Sequence, residues 1–186
     1  MKKKIKIISL FIAAILFLFF ISIGKIFISN IVSGSVHFPD EYIGETLSME
    51  DGQIFAVFRR LAVSGKNNDV SGFAVFKVKF KFKGFKPGTN KRLSMIPAPF
   101  LMGMTGFREK YWAINENSNY FQGIYQWESR EIAERYPNSF IFKLLTKRSA
   151  PGTLSYEIIP NTNLSQYIKK HASKSMTGKS NLTPIL

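Results

Sequence analysis

Within the stretch from Phe73 to Lys83, apolar and charged residues alternate strictly from Phe76 onward. Phe76, Val78, Phe80 and Phe82 fall on one parity, and Lys77, Lys79, Lys81 and Lys83 on the other. A period of two over this length predicts a strand with one apolar face. Gly84 and Pro87-Gly88 end it, and Thr89 is placed to cap a short helix through Met95, before Pro97 and Pro99 break the chain. Residues 106–115 and 120–128 read as two strands joined at Asn117-Ser118-Asn119, a hairpin. Ser129 is a candidate N-cap with Glu131 in the first turn. The helix it opens carries Ile132, Ala133, Tyr136, Phe140, Leu144 and Leu145, and Pro137 is expected to kink or split it. Pro151-Gly152 closes that helix, and residues 153–159 read as a last strand.

The order over residues 73–160 is therefore β-α-β-β-α-β, which predicts an α+β, ferredoxin-like domain with a four-stranded antiparallel sheet. Two helices cover one face. The other needs a cover, either from a second copy in a homodimer or from the segment before Phe73. Within that segment (residues 30–72, a linker and N-terminal extension), residues 48–64 stay open between two readings. Ile54, Val57, Phe58 and Leu61 have helical spacing, with Ser48 as a cap and Asp51 three residues on, yet residues 53–58 suit a strand equally. Residues 161–186 are polar and basic and are expected to form a loose tail.

Residues 1–29 have a different pattern. From Ile7 to Gly24 there are 18 residues without a charge. As a helix rising about 1.5 Å per residue they cover most of a hydrocarbon core of about 30 Å. The expectation is a single-pass transmembrane helix that Ile26, Phe27 and Ile28 extend, with the lipid bilayer as partner. A cleaved secretory signal ending at Gly24 is the rival. Lys2, Lys3, Lys4 and Lys6 before the span, against Lys25 after it, predict a cytoplasmic N-terminus and an extracytoplasmic domain.

The charge balance changes little in that picture. The formal net charge is +14, but Lys2, Lys3, Lys4, Lys6, Lys25, Lys169, Lys170, Lys174 and Lys179 sit at the two ends, leaving 17 bases against 12 acids over residues 26–168. Lys83-Gly84-Phe85-Lys86 departs from the RNA-recognition motif after three positions, so no nucleic-acid partner is expected. With no cysteine and only His37 and His171, a thiolate nucleophile, a disulfide and a histidine-rich metal site have no residues to draw on. Phosphate-loop and dinucleotide fingerprints are absent too, and no metal or cofactor is expected. Lys77, Lys79 and Lys81 allow two readings: a cationic wall for an anionic ligand, or a sheet surface paired with acids such as Glu109 or Glu157.

Residues 99–159 carry a family pattern. Gly106-Phe107-Arg108 leads to Lys110 and Trp112, then come Gly123-Ile124-Tyr125-Gln126-Trp127-Glu128 and Ala133-Glu134-Arg135-Tyr136. In order and spacing this resembles the small mono-oxygenase-type proteins of the dimeric α+β barrel superfamily. The resemblance implies dimerisation through the open sheet face and a pocket between sheet and helices. It also implies cofactor-independent oxygenation of aromatic molecules as one possible activity, although many such proteins have none known. Arg108, Trp112, Tyr125 and Tyr136 are the candidate ligand-binding residues, with Tyr136 a hydrogen-bond or proton donor. Core or interface packing uses the same aromatic residues, and no catalytic residue is assigned.

Overall fold

A computed structural model describes residues 31–64 and 72–172, with scattered positions between 14 and 29. The expected transmembrane span therefore lies largely outside the described residues. Among those described, no helix is long and apolar enough to cross a membrane.

Seven strands form one antiparallel sheet: β1 (Val36–His37), β2 (Thr46–Ser48), β3 (Ile54–Val63), β4 (Ala74–Phe80), β5 (Phe107–Asn115), β6 (Tyr120–Trp127) and β7 (Ser155–Ile159). Their spatial order is β1-β3-β5-β6-β4-β7, with β2 also on the outer edge of β3. Strands β5-β6-β4-β7 are the ferredoxin-like set, joined by helices α1 (Pro87–Leu93), α2 (Ala98–Met102), α3 (Arg130–Arg135) and α4 (Phe140–Arg148).

The sheet is wider than the four strands the pattern predicts, because the undecided segment is strand. Residues 54–63 pair with β5 and cover an edge that would otherwise expose unpaired backbone groups. Ser48 caps no helix. It ends β2, and the turn to β3 closes with Met49 N–H donating to Gln53 O at 2.9 Å while Gly52 takes φ +74. Glycine suits that left-handed position.

The helix boundaries follow local chemistry. Proline has no N–H to lose at a first helical position, so α1 starts at Pro87 rather than at Thr89. Likewise Pro97 and Pro99 open α2 instead of ending order there. Ser129 accepts from Ile132 N–H at 3.3 Å as expected. Pro137 does split the next helix: α3 gives way to a 3-10 turn at Tyr136–Asn138, and Ser139 caps α4 by accepting from Phe142 N–H at 3.2 Å.

Both sheet faces are buried. On the helix side Phe76, Val78, Trp112, Ile114, Tyr125 and Trp127 pack with Tyr136 and Phe142. On the other side Val75, Tyr111, Ala113 and Ile124 join Leu47, Phe55 and Val57. Their cover is a further helix, α5 (Leu164–His171), which seats Leu164, Tyr167 and Ile168 on them. This corrects two expectations. The tail is ordered through His171, because Asn163 caps the helix and one of its faces is apolar. The face expected to be left open for a dimer partner is covered over its centre by the same chain.

Lys77 and Lys79 belong to a paired surface rather than an open cationic wall, while Lys81 Nζ lies over the Tyr120 ring, 4.6 Å from its centroid. Lys77 bridges Glu50 at 2.8 Å and Glu157 at 3.0 Å, and Lys79 meets Asp51. Glu109 pairs with Arg60 instead.

Candidate functional site

A cleft opens between the helix-side face of the sheet and helices α1 and α4. Its empty space is about 650 Å³ out to the open mouth, and the part in which a water molecule can be centred is about 60 Å³. Trp112, Tyr125 and Tyr136 line it, as do Phe80, Phe82 and Phe121. Three of the four residues singled out from the sequence therefore meet in one place.

Arg108 does not join them. A bulge between Phe107 and Glu109 shifts the pairing of β5 against β6, so simple alternation from Trp112 back to Arg108 fails. Arg108 is buried and lies 3.0 Å from the Glu128 carboxylate.

The residue that alternation does bring to the cleft is Lys110. It stands directly opposite Tyr125 across the β5–β6 ladder, and Trp112 stands opposite Gly123. Lys110 is 6% exposed. Its Nζ lies 4.1 Å from the Trp112 ring centroid and 4.4 Å from that of Tyr125. Among the described residues no carboxylate forms an ion pair with it. The two ring faces offer a cation only weak compensation for lost water. Burial first, then repulsion from Arg59, therefore pushes the amine well below the ordinary lysine range. In the sequence Lys110 shares its parity with Trp112 and Ile114, which is the signal that places it on their face.

Tyr136 donates to the Tyr125 hydroxyl at 3.3 Å. Burial pushes both phenols up, Tyr125 further through its neighbour Tyr136, so both remain protonated donors at neutral pH. Arg148 also lines the cleft, 3.4 Å from Asn90 Oδ1.

Gly123 makes this geometry possible. A Cβ there would lie 2.7 Å from Tyr125 Cε2 and 2.9 Å from its hydroxyl oxygen. The Tyr125 ring occupies the space a side chain would fill. Gly123→Ala is expected to swing that ring away and to cost about 1–3 kcal/mol, the usual range for overpacking. Urea denaturation of both proteins checks this, and an unchanged midpoint would contradict it.

The histidines lie elsewhere. His171 Nε2 is 2.9 Å from Glu50 beside α5, and His37 Nδ1 is 3.1 Å from Ser64 Oγ. Among the described residues no cluster of three or more His, Asp or Glu could hold a metal ion.

No protein-family model matches the chain. No curated protein matches it either. Solved structures do. A ferredoxin-fold protein related to antibiotic biosynthesis monooxygenases, from Listeria monocytogenes, is 14% identical with a TM-score of 0.45, over 62% of this chain and 68% of that one. A monooxygenase-like protein from Listeria innocua is 13% identical with a TM-score of 0.44, over the same shares. A heme-degrading enzyme from Listeria monocytogenes is 14% identical with a TM-score of 0.45, over 69% of this chain and 97% of that one. At these levels nothing about ligand or reaction follows from the likeness. The chemistry has to be argued from the cleft.

Proposed function

We propose that the cleft binds a small, flat organic molecule, its ring against the aromatic walls and an oxygen-bearing end toward Lys110 Nζ. One observation carries this reading: a lysine only 6% exposed, its amine set between two aromatic rings at an apolar cleft. A wall needed only for packing has no use for that amine, since burying it costs free energy that Leu or Met would not. Pockets of this kind pair apolar walls with a few convergent polar groups.

Size narrows the ligand. The free space of about 60 Å³ is well below the cavity of about 150 Å³ that takes benzene. The inner cleft thus admits a functional group such as a carboxylate, phenolate or carbonyl, while the ring extends toward the mouth. Arg148, which also lines the cleft, adds a cation for an anionic end.

The reaction to test first is the one the sequence resemblance implies, cofactor-independent mono-oxygenation. There the substrate itself supplies the electrons, a ring methylene and O2 giving a carbonyl and water. The small free volume favours a second reading, a binding module without turnover, and oxygen uptake separates the two.

The proposal also holds the domain at a membrane through residues 7–24, with the N-terminus cytoplasmic and the domain outside. Its support is the run of 18 uncharged residues behind four lysines. Retention in the membrane pellet after an alkaline carbonate wash is expected, and release would contradict the anchor.

For the cleft, the test is a fluorescence titration of the full chain with benzoate and with phenol. Quenching of Trp112 is expected, weakened about tenfold or more in Lys110→Met, since a lost charged hydrogen bond is worth about 1.5–3 kcal/mol. Equal binding by both proteins would remove Lys110 from the site.

A further inference from the structure

Lys110 is positioned for a reaction as well as a contact. Lys110 lines the cleft, and the Trp112 and Tyr125 ring centroids lie 4.1 and 4.4 Å from its Nζ. Among the described residues no carboxylate meets it, whereas Lys77 and Lys79 on the opposite face are both ion-paired. An ion-paired ammonium has no lone pair to offer. An amine buried between two rings, with the Arg59 charge acting against its protonation, is shifted toward the neutral, nucleophilic form.

We propose that Lys110 condenses with the carbonyl group of a small aldehyde or ketone to form an imine in the cleft. The inference rests on the ligand reading above and specifies the functional group of the ligand. The nitrogen lone pair attacks the carbonyl carbon, a C–N bond forms, and the oxygen takes up a proton to give a carbinolamine. Loss of that oxygen as water, with the nitrogen's remaining proton, leaves the C=N bond. The balance is amine plus carbonyl to imine plus water, with no oxidant or reductant.

The proton carriers are at hand. The Tyr125 ring lies against Nζ, and its hydroxyl is linked to that of Tyr136 at 3.3 Å. The pair is placed to protonate the departing oxygen and to be refilled from one another. The narrow cleft leaves little room for bulk water, which slows hydrolysis of the product.

The test is reductive trapping. The full chain, in detergent micelles, is treated at neutral pH with limiting benzaldehyde and sodium borohydride, and the benzylated peptides are mapped by mass spectrometry. Lys110 is expected to be benzylated about tenfold or more in preference to any surface lysine, the gain in neutral amine that such burial gives. Lys110→Arg keeps a long polar side chain without a nucleophilic amine and is expected to lose that one adduct while surface adducts persist. Benzylation spread over surface lysines and missing at Lys110 would overturn the imine. If benzoate still quenches Trp112 in that case, the binding reading stands alone. If neither trapping nor quenching occurs, both readings fail.

Discussion

Phe76→Ala is expected to cost about 3–5 kcal/mol of folding stability, the range for a large aromatic side chain removed from a packed core. Phe76 has no solvent exposure and lies on β4, a central strand of the sheet. Its ring meets Tyr136 edge-on at 5.1 Å, Phe142 at 5.8 Å and Tyr125 at 5.9 Å, and stacks on Tyr156 at 5.1 Å. Sheet and helices are thus joined through one side chain, and such ring pairs add to what area burial alone supplies. Because Tyr125 and Tyr136 both rest on Phe76, the variant should also lose affinity for benzoate. Urea denaturation measures the first effect. A loss under about 1 kcal/mol would mean that the aromatic cluster repacks around the gap.

Ending the chain at Asn163 is expected to have a comparable effect and to change the assembly state. Helix α5 buries Leu164, Tyr167 and Ile168 against Leu47, Phe55, Val75, Tyr111 and Ile124. At about 1.5–3 kcal/mol for each fully buried side chain, its removal forfeits more than about 4 kcal/mol and bares an apolar face. The shortened chain should self-associate through that face, which α5 covers in the intact chain. Light scattering on both, at matched concentration in the same detergent, makes the comparison. A shortened chain with unchanged stability and size would refute the role given to α5. Ile168→Asp is the milder version of the same test.

Acid should loosen the same helix. Burial alone would raise the Glu50 carboxyl, but its hydrogen bond and charge pairing with Lys77, together with the nearby His171, lower it to about 2. Its folded value lies below the unfolded value of 4.5. The stabilisation is therefore fully present above pH 4.5 and is lost as pH falls toward about 2. Glu50 is half exposed, so solvent keeps the effect modest.

The ferredoxin-like order was legible because each of its elements carries its own local signal. Lys77 and Lys79 alternating with apolar residues mark β4, and Ser129 and Pro137 punctuate the helical stretch. Residues 54–63 were harder to read, since Arg59 and Arg60 interrupt the alternation where the β3–β5 register shifts. Helix α5 was missed for another reason. Its eight residues hold only Leu164, Tyr167 and Ile168 as apolar anchors, and what decides them is a sheet face contributed by distant strands. Tertiary burial, rather than local propensity, makes that helix.

The site was legible in the same uneven way. Trp112, Tyr125 and Tyr136 are conspicuous aromatics on elements that the pattern places correctly. Arg108 was misplaced by the bulge at Phe107, which alternation cannot anticipate. Lys110 looked like one lysine among many, and its parity with Trp112 was the available signal.

The imine chemistry turns on whether the Lys110 amine is uncharged in the resting protein. The most direct measurement is the 13Cε chemical shift of its side chain followed with pH in lysine-labelled full chain, assigned by its disappearance in Lys110→Met. The expected result is a titration well below the ordinary value of 10.5, or no ammonium signal at neutral pH, while the surface lysines titrate together near that value. Lys110 titrating along with the surface lysines would contradict it.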